Sequence, residues 1–364
     1  MNVQFFPSKR IAWYMAKTFV LRTLAVLVAL VVVLMTLDLL GESGKILAHP
    51  GNGDAELWRY VSLRVPQLIA RFLPFSVLLG TLITLATLNQ NSEIVSMKAA
   101  GISAHQIIAP LIVASLGIAA LSFVFNERIV TRASEEVRAW GDVDYGPIPP
   151  DTGIKANVWV HWQDDLVLAR EVRSRGGRME LRNVTVHDRS WETLQRIIDA
   201  KVARPENGAW RLDDVTVFDV ASATQSHLPS FLYGEGLDPR QFTLSRVHAD
   251  EQDVKTLRRT VAELKAAGRP TSAAEAGLWH KFSGPLSSVL MPLLAAVAAF
   301  GLARSGRLFV RAVIGMSLGF AYFVVDNFAL AMGNLGAYPP LLAAWAPFAL
   351  FLLIGEAVLI RTEE

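Results

Sequence analysis

Four ionisable residues lie inside or at the edge of long apolar segments, where charged side chains are rare. Asp38, Arg71, Lys281 and Asp326 all fall near the ends of these segments that we place on one side of the membrane. Charges in such positions usually face a cavity or one another. An outward-open, half-polar cavity would suit a lipid with several acyl chains and an anionic head. The structural alternative is that Arg71 and Lys281 extend to the membrane surface, while the two carboxylates pair or cap helices.

The sequence offers little for catalysis. His161, His187, His227 and His248 are scattered, with no HExxH pattern and no carboxylate pair at ligand spacing, and are read as surface or strand-edge residues. There is no GxSxG nucleophile elbow, and GESGK at 41–45 lacks the spacing of a phosphate-binding loop. The chain contains no Cys. We therefore expect no metal, no cofactor and no ATP hydrolysis in this chain.

The segment 91–101 predicts a short helix between two apolar runs. It has a Ser at the cap position, an acidic residue in the first turn and a Gly that can stop it. Its apolar flank has little of this chain to cover it. The helix is either a connector lying on lipid headgroups or a coupling helix docked in a groove of a cytoplasmic partner, whose Arg would pair with the acidic residue. The candidate coupling residues are Ser92, Glu93, Ile94, Met97, Lys98 and Gly101.

These residues are carried by apolar runs of membrane-spanning length. Three runs precede a polar insert and three follow it, each of about 20 residues, enough to cross a hydrocarbon core of about 30 Å. Hydrophobic residues make up 52% of the chain, charged residues 19%, and the mean hydropathy is +0.34. The predicted fold is an α-helical polytopic membrane protein, with helices 1–3 in 1–125, an inserted domain in 126–281 and helices 4–6 in 282–364. The predicted spans are Phe19–Leu40, Gln67–Leu88, Gly101–Phe125, Phe282–Ala303, Leu308–Met332 and Pro339–Ile360.

The distribution of Lys and Arg near the span ends predicts the orientation. Most of these cations fall on one side of the membrane, whereas the short loops on the other side carry only Lys45, Arg59 and Arg64. We therefore expect both termini in the cytoplasm and the long insert outside it. The cations assigned to the cytoplasmic side are Lys9, Arg10, Lys17, Arg22, Lys98, Arg304, Arg307, Arg311 and Arg361.

The insert is predicted to be mainly β. Short segments of alternating polarity, separated by turn-forming residues, are typical of an antiparallel sandwich, a jelly roll or an open barrel. Helical stretches flank them at Glu127–Trp140 and Asp253–Ala267, the second with Asp253 as N-cap and Gly268 as stop. The predicted strands are Asn157–Trp162, Leu166–Val172, Met179–His187, Thr193–Ala203, Trp210–Val220 and Gln241–Val247.

Several separated motifs, in order, resemble one family over nearly the whole chain. The loop NSEIVSMKAAGIS at 91–103 is similar to the corresponding loop of the LptF/LptG permeases. Near the C-terminus, GFAYFVVDNF at 319–328, GAYPP at 336–340 and Ala346–Pro347 resemble the LptG branch, as does LWHKFSGPL at 278–286. The layout of helices around an outer domain agrees.

The resemblance implies a transport subunit. Members of this family are the permeases of an ABC exporter that lifts lipopolysaccharide from the outer leaflet of the inner membrane. An LptF-like permease would be the partner, an LptB-like ATPase dimer would bind ATP and magnesium below, and an LptC-like protein would join at the side. A periplasmic β-jellyroll would pass the lipid to a bridge protein, and Glu93 would face the ATPase. No nucleic-acid partner is expected.

The sequence departs from the family pattern at the outer end of helix 1. Relatives often carry several cations there, whereas Leu34–Lys45 has only Lys45. Arg59, Arg64 or Arg71 could compensate for the missing cations. The candidate lipid-cavity residues are Asp38, Lys45, Arg71, Lys281 and Asp326.

Three alternatives were weighed against a permease of the LptG type. The first is the LptF-type partner of the same exporter. The second is a membrane-embedded lipid-modifying enzyme, for which Asp38 and Asp326 give thin support. The third is a receptor, which would need a cytoplasmic output domain, whereas only a few residues follow Ile360.

Overall fold

The computed structural model describes residues 8–147, 154–175, 178–190, 193–243, 248–266, 268–300 and 308–361. The chain divides into two compact units. A helical unit comprises Met1–Ile148, His248–Val261 and Thr271–Glu364, and a β unit comprises Pro149–Val247 and Ala262–Pro270. The helical stretches next to the insert thus lie largely in the helical unit. Arg304, Arg307 and the ends of the predicted strand at Val247 and span at Ala303 lie outside the described residues.

Six helices in the described residues are long and apolar enough to cross a membrane, as predicted. The first, second and fourth begin about ten residues or more before the predicted apolar run, because polar residues there continue the helix. The third continues through a π-helical turn, Asn126–Val130, into a further helix, α5. The six long helices and this extension are α1 Lys9–Ala48, α2 Asp54–Gln90, α4 Ala104–Phe125 with α5 Thr131–Gly141, α8 Ser272–Phe300, α9 Leu308–Asn334 and α10 Pro340–Arg361.

Helix α8 is the centre of the helical unit. It packs against α2, α4, α9 and α10. In its apolar, membrane-spanning part 67% is buried, compared with 17% for α1 and 22% for α9. Small residues permit close approach elsewhere, as they do in membrane proteins generally. A Cβ added at Gly80 of α2 would lie 2.8 Å from the Cα atom of Thr23 in α1. The apolar faces of α1 and α9 are therefore the ones left for lipid or for another protein.

Three short helices connect these elements: α3 Glu93–Ala99, α6 Arg240–Thr243 and α7 Val254–Ala266. The predicted N-cap of α7 is confirmed, because the Thr256 N–H donates to Asp253 Oδ1 at 2.9 Å. Hydrogen bonds from Thr256 lower the pKa of the Asp253 carboxyl. Gly268 follows the helix with φ +66°, as its predicted role as a stop requires.

The β unit contains one sheet of six antiparallel strands whose spatial order, β1 to β6, is the sequence order. The all-β class is confirmed, and the connectivity of the described strands is a meander. The core includes Val167, Val186 and Leu212, with Trp210 against Phe242 at 5.0 Å between ring centroids. The strands are β1 Ile154–Trp162, β2 Asp165–Arg175, β3 Arg178–Ser190, β4 Thr193–Glu206, β5 Ala209–Asp219 and β6 Thr224–Tyr233.

One strand prediction was wrong and one strand was missed. Residues 241–243 of the predicted strand Gln241–Val247 belong to helix α6, and the rest of that strand lies outside the described residues. Asp238 and Pro239 precede this helix, and such a pair is a helix-start signal that outweighs the alternating pattern. The sixth strand is instead β6.

Candidate functional site

The helical unit has two ends that can be told apart by contacts among its own residues. At one end, which we call the basic end, the Tyr14 hydroxyl near the start of α1 donates to Glu93 of α3 at 3.4 Å. His105 at the start of α4 lies 3.5 Å from Glu356 near the end of α10. At the opposite end, the Tyr145 hydroxyl donates to Glu42, late in α1, at 2.9 Å. Glu42 and Tyr145 therefore lie at the end of the helical unit opposite α3.

Helix α3 is fixed at its C-terminal end and less firmly at its N-terminal end. The Ile102 N–H donates to the Met97 carbonyl at 3.1 Å and the Gly101 N–H to the Lys98 carbonyl at 3.0 Å. With Gly101 at φ +82°, this is a Schellman motif, which confirms the predicted stop. The predicted side-chain cap is wrong, because Ser92 adopts a left-handed conformation with φ 59° and makes no cap bond.

The two faces of α3 differ in burial. Ile94 is buried in the main core of the helical unit, and Met97 packs against that core. Val95, by contrast, is 61% exposed, and the Lys98 ammonium lies 5.1 Å above the Phe300 ring. The expectation that this chain would leave the apolar flank uncovered is therefore wrong for Ile94 and Met97. The outward surface of α3 is formed by Glu93, Val95 and Lys98.

At the opposite end, Asp38 belongs to a compact network rather than to an open cavity. Arg64 donates to both of its carboxylate oxygens, Nε to Oδ2 and Nη2 to Oδ1, each at 3.0 Å. The Tyr60 hydroxyl donates to Oδ2 at 2.7 Å. Such a bidentate pair is among the stronger charge-assisted hydrogen bonds. Arg64 is neutralised here, which leaves it few donors for a ligand.

A second network lies beside the first. Glu42 accepts from Tyr145 and pairs with Lys45, one turn further along α1, at 2.8 Å. Burial and the hydrogen bond to Glu42 raise the pKa of the Tyr145 phenol to about 12. The Asn52 amide donates to the Ile46 carbonyl at 2.8 Å and to the Tyr145 carbonyl at 2.9 Å. Lys45 therefore already has a partner, although its side chain remains exposed.

The three arginines of α2 that could compensate for the missing cations of helix 1 differ in their partners. Arg64 pairs with Asp38, and Arg59 pairs with Glu136 at 2.7 Å while lying 4.6 Å above the Trp140 ring. Arg71 is exposed and forms no ion pair or hydrogen bond within the described part of the chain. It is thus the one of the three whose guanidinium is fully available.

Lys281 and Asp326 each have a specific partner. The Lys281 ammonium, 7% exposed, lies 2.9 Å from Glu127 Oε1, and Glu127 Oε2 accepts the first N–H of α7, from Val254, at 2.7 Å. Asp326 of α9 pairs with His280 of α8 at 3.1 Å. The structure thus places Asp38, Lys281 and Asp326 in three separate pairs. Glu127, which lies in the π-helical turn, links three segments of the helical unit.

The comparison with known proteins identifies the family. Residues 13–361 match the family described as lipopolysaccharide export system permease LptF/LptG. The chain belongs to this family. The lipopolysaccharide export system permease protein LptG of Escherichia coli strain K12 is 27% identical over 360 residues, 96% of this chain and 97% of that protein. The protein of the same name from Haemophilus influenzae is 25% identical over 328 residues, 86% of this chain and 89% of that protein.

Membership of the LptF/LptG family confirms the resemblance drawn from the separated motifs. The family is one of lipopolysaccharide export permeases, so the chain is a transport subunit rather than an enzyme. Its six apolar helices agree with a multi-pass protein of the inner membrane. Within the described residues, no group of three or more His, Asp or Glu side chains could hold a metal ion.

Sequence reasoning missed several residues that shape this permease. Tyr60 and Glu127 were not singled out, although each binds a predicted site residue. His280 was quoted only as part of a motif, yet it is the partner of Asp326. A usable signal existed for Glu127 and Lys281, because a charge in a largely apolar region indicates a partner of opposite charge.

Proposed function

We propose that this chain is the transmembrane permease subunit of an ABC exporter that extracts lipopolysaccharide from the inner membrane. An LptF-like permease would complete the pathway, and an LptB-like ATPase dimer would supply ATP hydrolysis from the cytoplasm. The β unit would lie in the periplasm, join an LptC-like protein, and pass the lipid to a bridge protein. The membership of the LptF/LptG family supports the substrate class.

The observation that carries the ATPase partnership is the orientation of α3. Its apolar residues Ile94 and Met97 anchor it to the core, and its C-terminal end is closed by backbone hydrogen bonds. A helix held in this way can transmit a displacement to the helices beneath it. Its outward surface offers a carboxylate, Glu93, and the exposed side chain of Val95, which together suit a partner's groove with an Arg inside it.

The charge distribution supports the proposed orientation. Lys9, Arg10, Lys17 and Lys98 lie at the basic end of the helical unit, and cytoplasmic loops are enriched in such cations. At the opposite end, the short loops carry only Arg59, Arg64 and Lys45, and all three pair with carboxylates. The basic end is therefore proposed to be cytoplasmic, with α3 facing the ATPase.

Substitution of Glu93 tests the coupling proposal. In Glu93→Ala, we expect at least a tenfold loss of ATPase attachment or of lipid-stimulated ATP hydrolysis, because a hydrogen bond to a charged group contributes about 1.5–3 kcal/mol. The measurement is co-purification of the ATPase with the tagged chain in mild detergent, followed by hydrolysis assays in proteoliposomes with and without lipopolysaccharide.

Glu135→Ala is the matched control, because Glu135 is an exposed carboxylate on helix α5, towards the opposite end of the helical unit. It should leave attachment and stimulated hydrolysis unchanged. If Glu93→Ala inserts normally and behaves like Glu135→Ala in both assays, α3 is only a connector. If no ATPase copurifies with the wild-type chain, the partnership itself is wrong.

A further inference from the structure

A cavity lies near the basic end of the helical unit, between α2, α3, α8 and α9. Its volume is about 270 Å³, and nine of its ten lining residues are apolar, the tenth being Asn89. Such a lining favours a hydrocarbon chain over a polar metabolite. The lining residues used below are Ile83, Ala86, Ile94, Phe300 and Met316.

The cavity opens at the surface of the helical unit, between α2 and α9. Ile83 on α2 is 44% exposed and Met316 on α9 is 40% exposed, and both belong to helices that can span a bilayer. An opening between two membrane-spanning helices is one that a lipid chain can enter from the bilayer. An acyl chain that enters the cavity would make dispersion contacts with its apolar walls.

Two cations are attached to the walls of the same cavity. Arg22 of α1 donates from Nη1 to the backbone carbonyl of Ile83 at 3.0 Å, and the Lys98 ammonium lies 5.1 Å above the ring of Phe300. Neither forms an ion pair with a carboxylate in the part of the chain that the structure describes. Arg22 keeps further N–H donors of its planar guanidinium for a second acceptor.

This lack of a carboxylate partner contrasts with several other cations of the helical unit. Arg59, Arg64, Arg138 and Lys281 all pair with carboxylates, at distances between 2.7 and 3.0 Å. Unpaired cations beside an apolar cavity between membrane helices are the combination that binds anionic lipid headgroups. The apolar cavity accounts for the acyl chain, and the cations account for a phosphate.

We propose that this cavity is a binding site for an anionic glycerophospholipid of the leaflet at the basic end. One acyl chain enters between α2 and α9, and the phosphate is bound by Arg22 and Lys98. This site takes a different ligand from the exported glycolipid and lies away from the network around Asp38. Since Ile94 of α3 forms part of the wall, the bound chain also supports the position of α3.

Photo-crosslinking tests the proposal on the full chain, purified with whatever subunits accompany it and placed in lipid nanodiscs. The probes are phosphatidylglycerol and phosphatidylcholine that carry the same diazirine in one acyl chain. Peptide mapping should locate adducts of phosphatidylglycerol on the lining residues of α2, α8 and α9, in clear excess over phosphatidylcholine adducts.

Two variants block the cavity and one removes a cation. Ala86→Phe fills the interior, and Ile83→Trp covers the mouth from its exposed position, so it stays informative if Ala86→Phe fails to fold. Both should abolish the cavity adducts of either lipid. Arg22→Gln should lower the preference for phosphatidylglycerol about fivefold, the ratio equivalent to about 1 kcal/mol per cation near an anionic surface.

Matched controls separate this site from the general lipid annulus. Lys17→Gln removes an exposed cation of the same helix α1 that has no contact with a cavity wall, and Leu116→Trp alters the 52% exposed Leu116 on α4. Both should leave the cavity adducts unchanged. The proposal is overturned if phosphatidylcholine labels the cavity as strongly as phosphatidylglycerol, or if well-folded Ile83→Trp retains the adducts.

Discussion

At the scale of single residues, the partners of each charge decide which ones remain for a ligand. Arg59, Arg64 and Arg71 all lie on α2 and could each compensate for the missing cations of helix 1, and the sequence favoured Arg71 among them as the residue for an anionic headgroup. The first two are bound to Glu136 and Asp38, whereas Arg71 is exposed and has no ion pair among the described residues. An anionic lipid can reach Arg71 without breaking an existing pair, so Arg71 is the candidate we retain.

Arg71→Glu should reduce crosslinking of lipopolysaccharide and lipid-stimulated ATP hydrolysis by tenfold or more, because reversal turns attraction into repulsion. Arg71→Lys should lose only a few-fold, since it keeps the charge and loses the planar fork. The measurement is crosslinking from photoreactive residues near position 71, normalised to the amount of each variant in the membrane. Arg59→Gln is the control and should crosslink normally, since its guanidinium is already bound to Glu136. Normal insertion and normal crosslinking of Arg71→Glu would remove Arg71 from the site.

The candidate residues on α3 show how far a sequence can identify a site. Spacing alone placed a short helix at 91–101 and its Gly101 stop, since both depend on local backbone preferences. It could not tell that Ile94 would be buried and Val95 exposed, because that depends on where the helix lies against the core. Nor could it tell that Asp38 and Arg64 meet, because their pairing depends on how α1 and α2 pack.

At the scale of elements, predictions succeeded where burial produces a regular pattern of apolar residues in the sequence and failed where it does not. All six spans and five of the strands follow from apolar runs or from alternation. Strand β6 was missed because it is an edge strand, nearly all of whose residues are exposed, so its sequence lacks alternation. Pro229 lies within it and normally argues against a strand, but at a sheet edge the missing N–H removes no ladder hydrogen bond.

The division into two units leads to a prediction about the β unit. If residues 149–247 are replaced by a short Gly/Ser linker, the helices should still insert and assemble, because the contacts of Glu127 with Lys281 and Val254 lie outside the deleted range. Transfer of lipopolysaccharide onward should be lost, since the proposed route runs through the strands. Size-exclusion profiles and ATPase co-purification check assembly, and crosslinking of lipid to a periplasmic acceptor checks transfer. Continued transfer by the assembled deletion variant would show that the strands are only a spacer.

At the scale of the whole molecule, the charges of the helical unit are arranged along the membrane normal. Cations at the basic end, such as Lys17, Arg22 and Lys98, form no carboxylate pair within the described residues, whereas Lys45, Arg59 and Arg64 at the opposite end are paired. Lys and Arg near the ends of the spans are enriched on the cytoplasmic side. The same arrangement therefore supports the proposed orientation and the anionic-lipid site proposed above.

The absence of Cys from the chain makes this orientation directly measurable, because a single introduced Cys is the only thiol. Val95→Cys places a thiol on the outward face of α3, and Leu335→Cys places one after α9, where Leu335 is 77% exposed. In cells with a permeabilised outer membrane, a membrane-impermeant maleimide should label Leu335→Cys and spare Val95→Cys. After the inner membrane is opened, both should react, which controls for accessibility. A third variant, Gln225→Cys on the exposed strand β6, should label like Leu335→Cys if the β unit is periplasmic. Labelling of Val95→Cys in cells with an intact inner membrane would reverse the orientation and place α3 out of reach of any cytoplasmic ATPase.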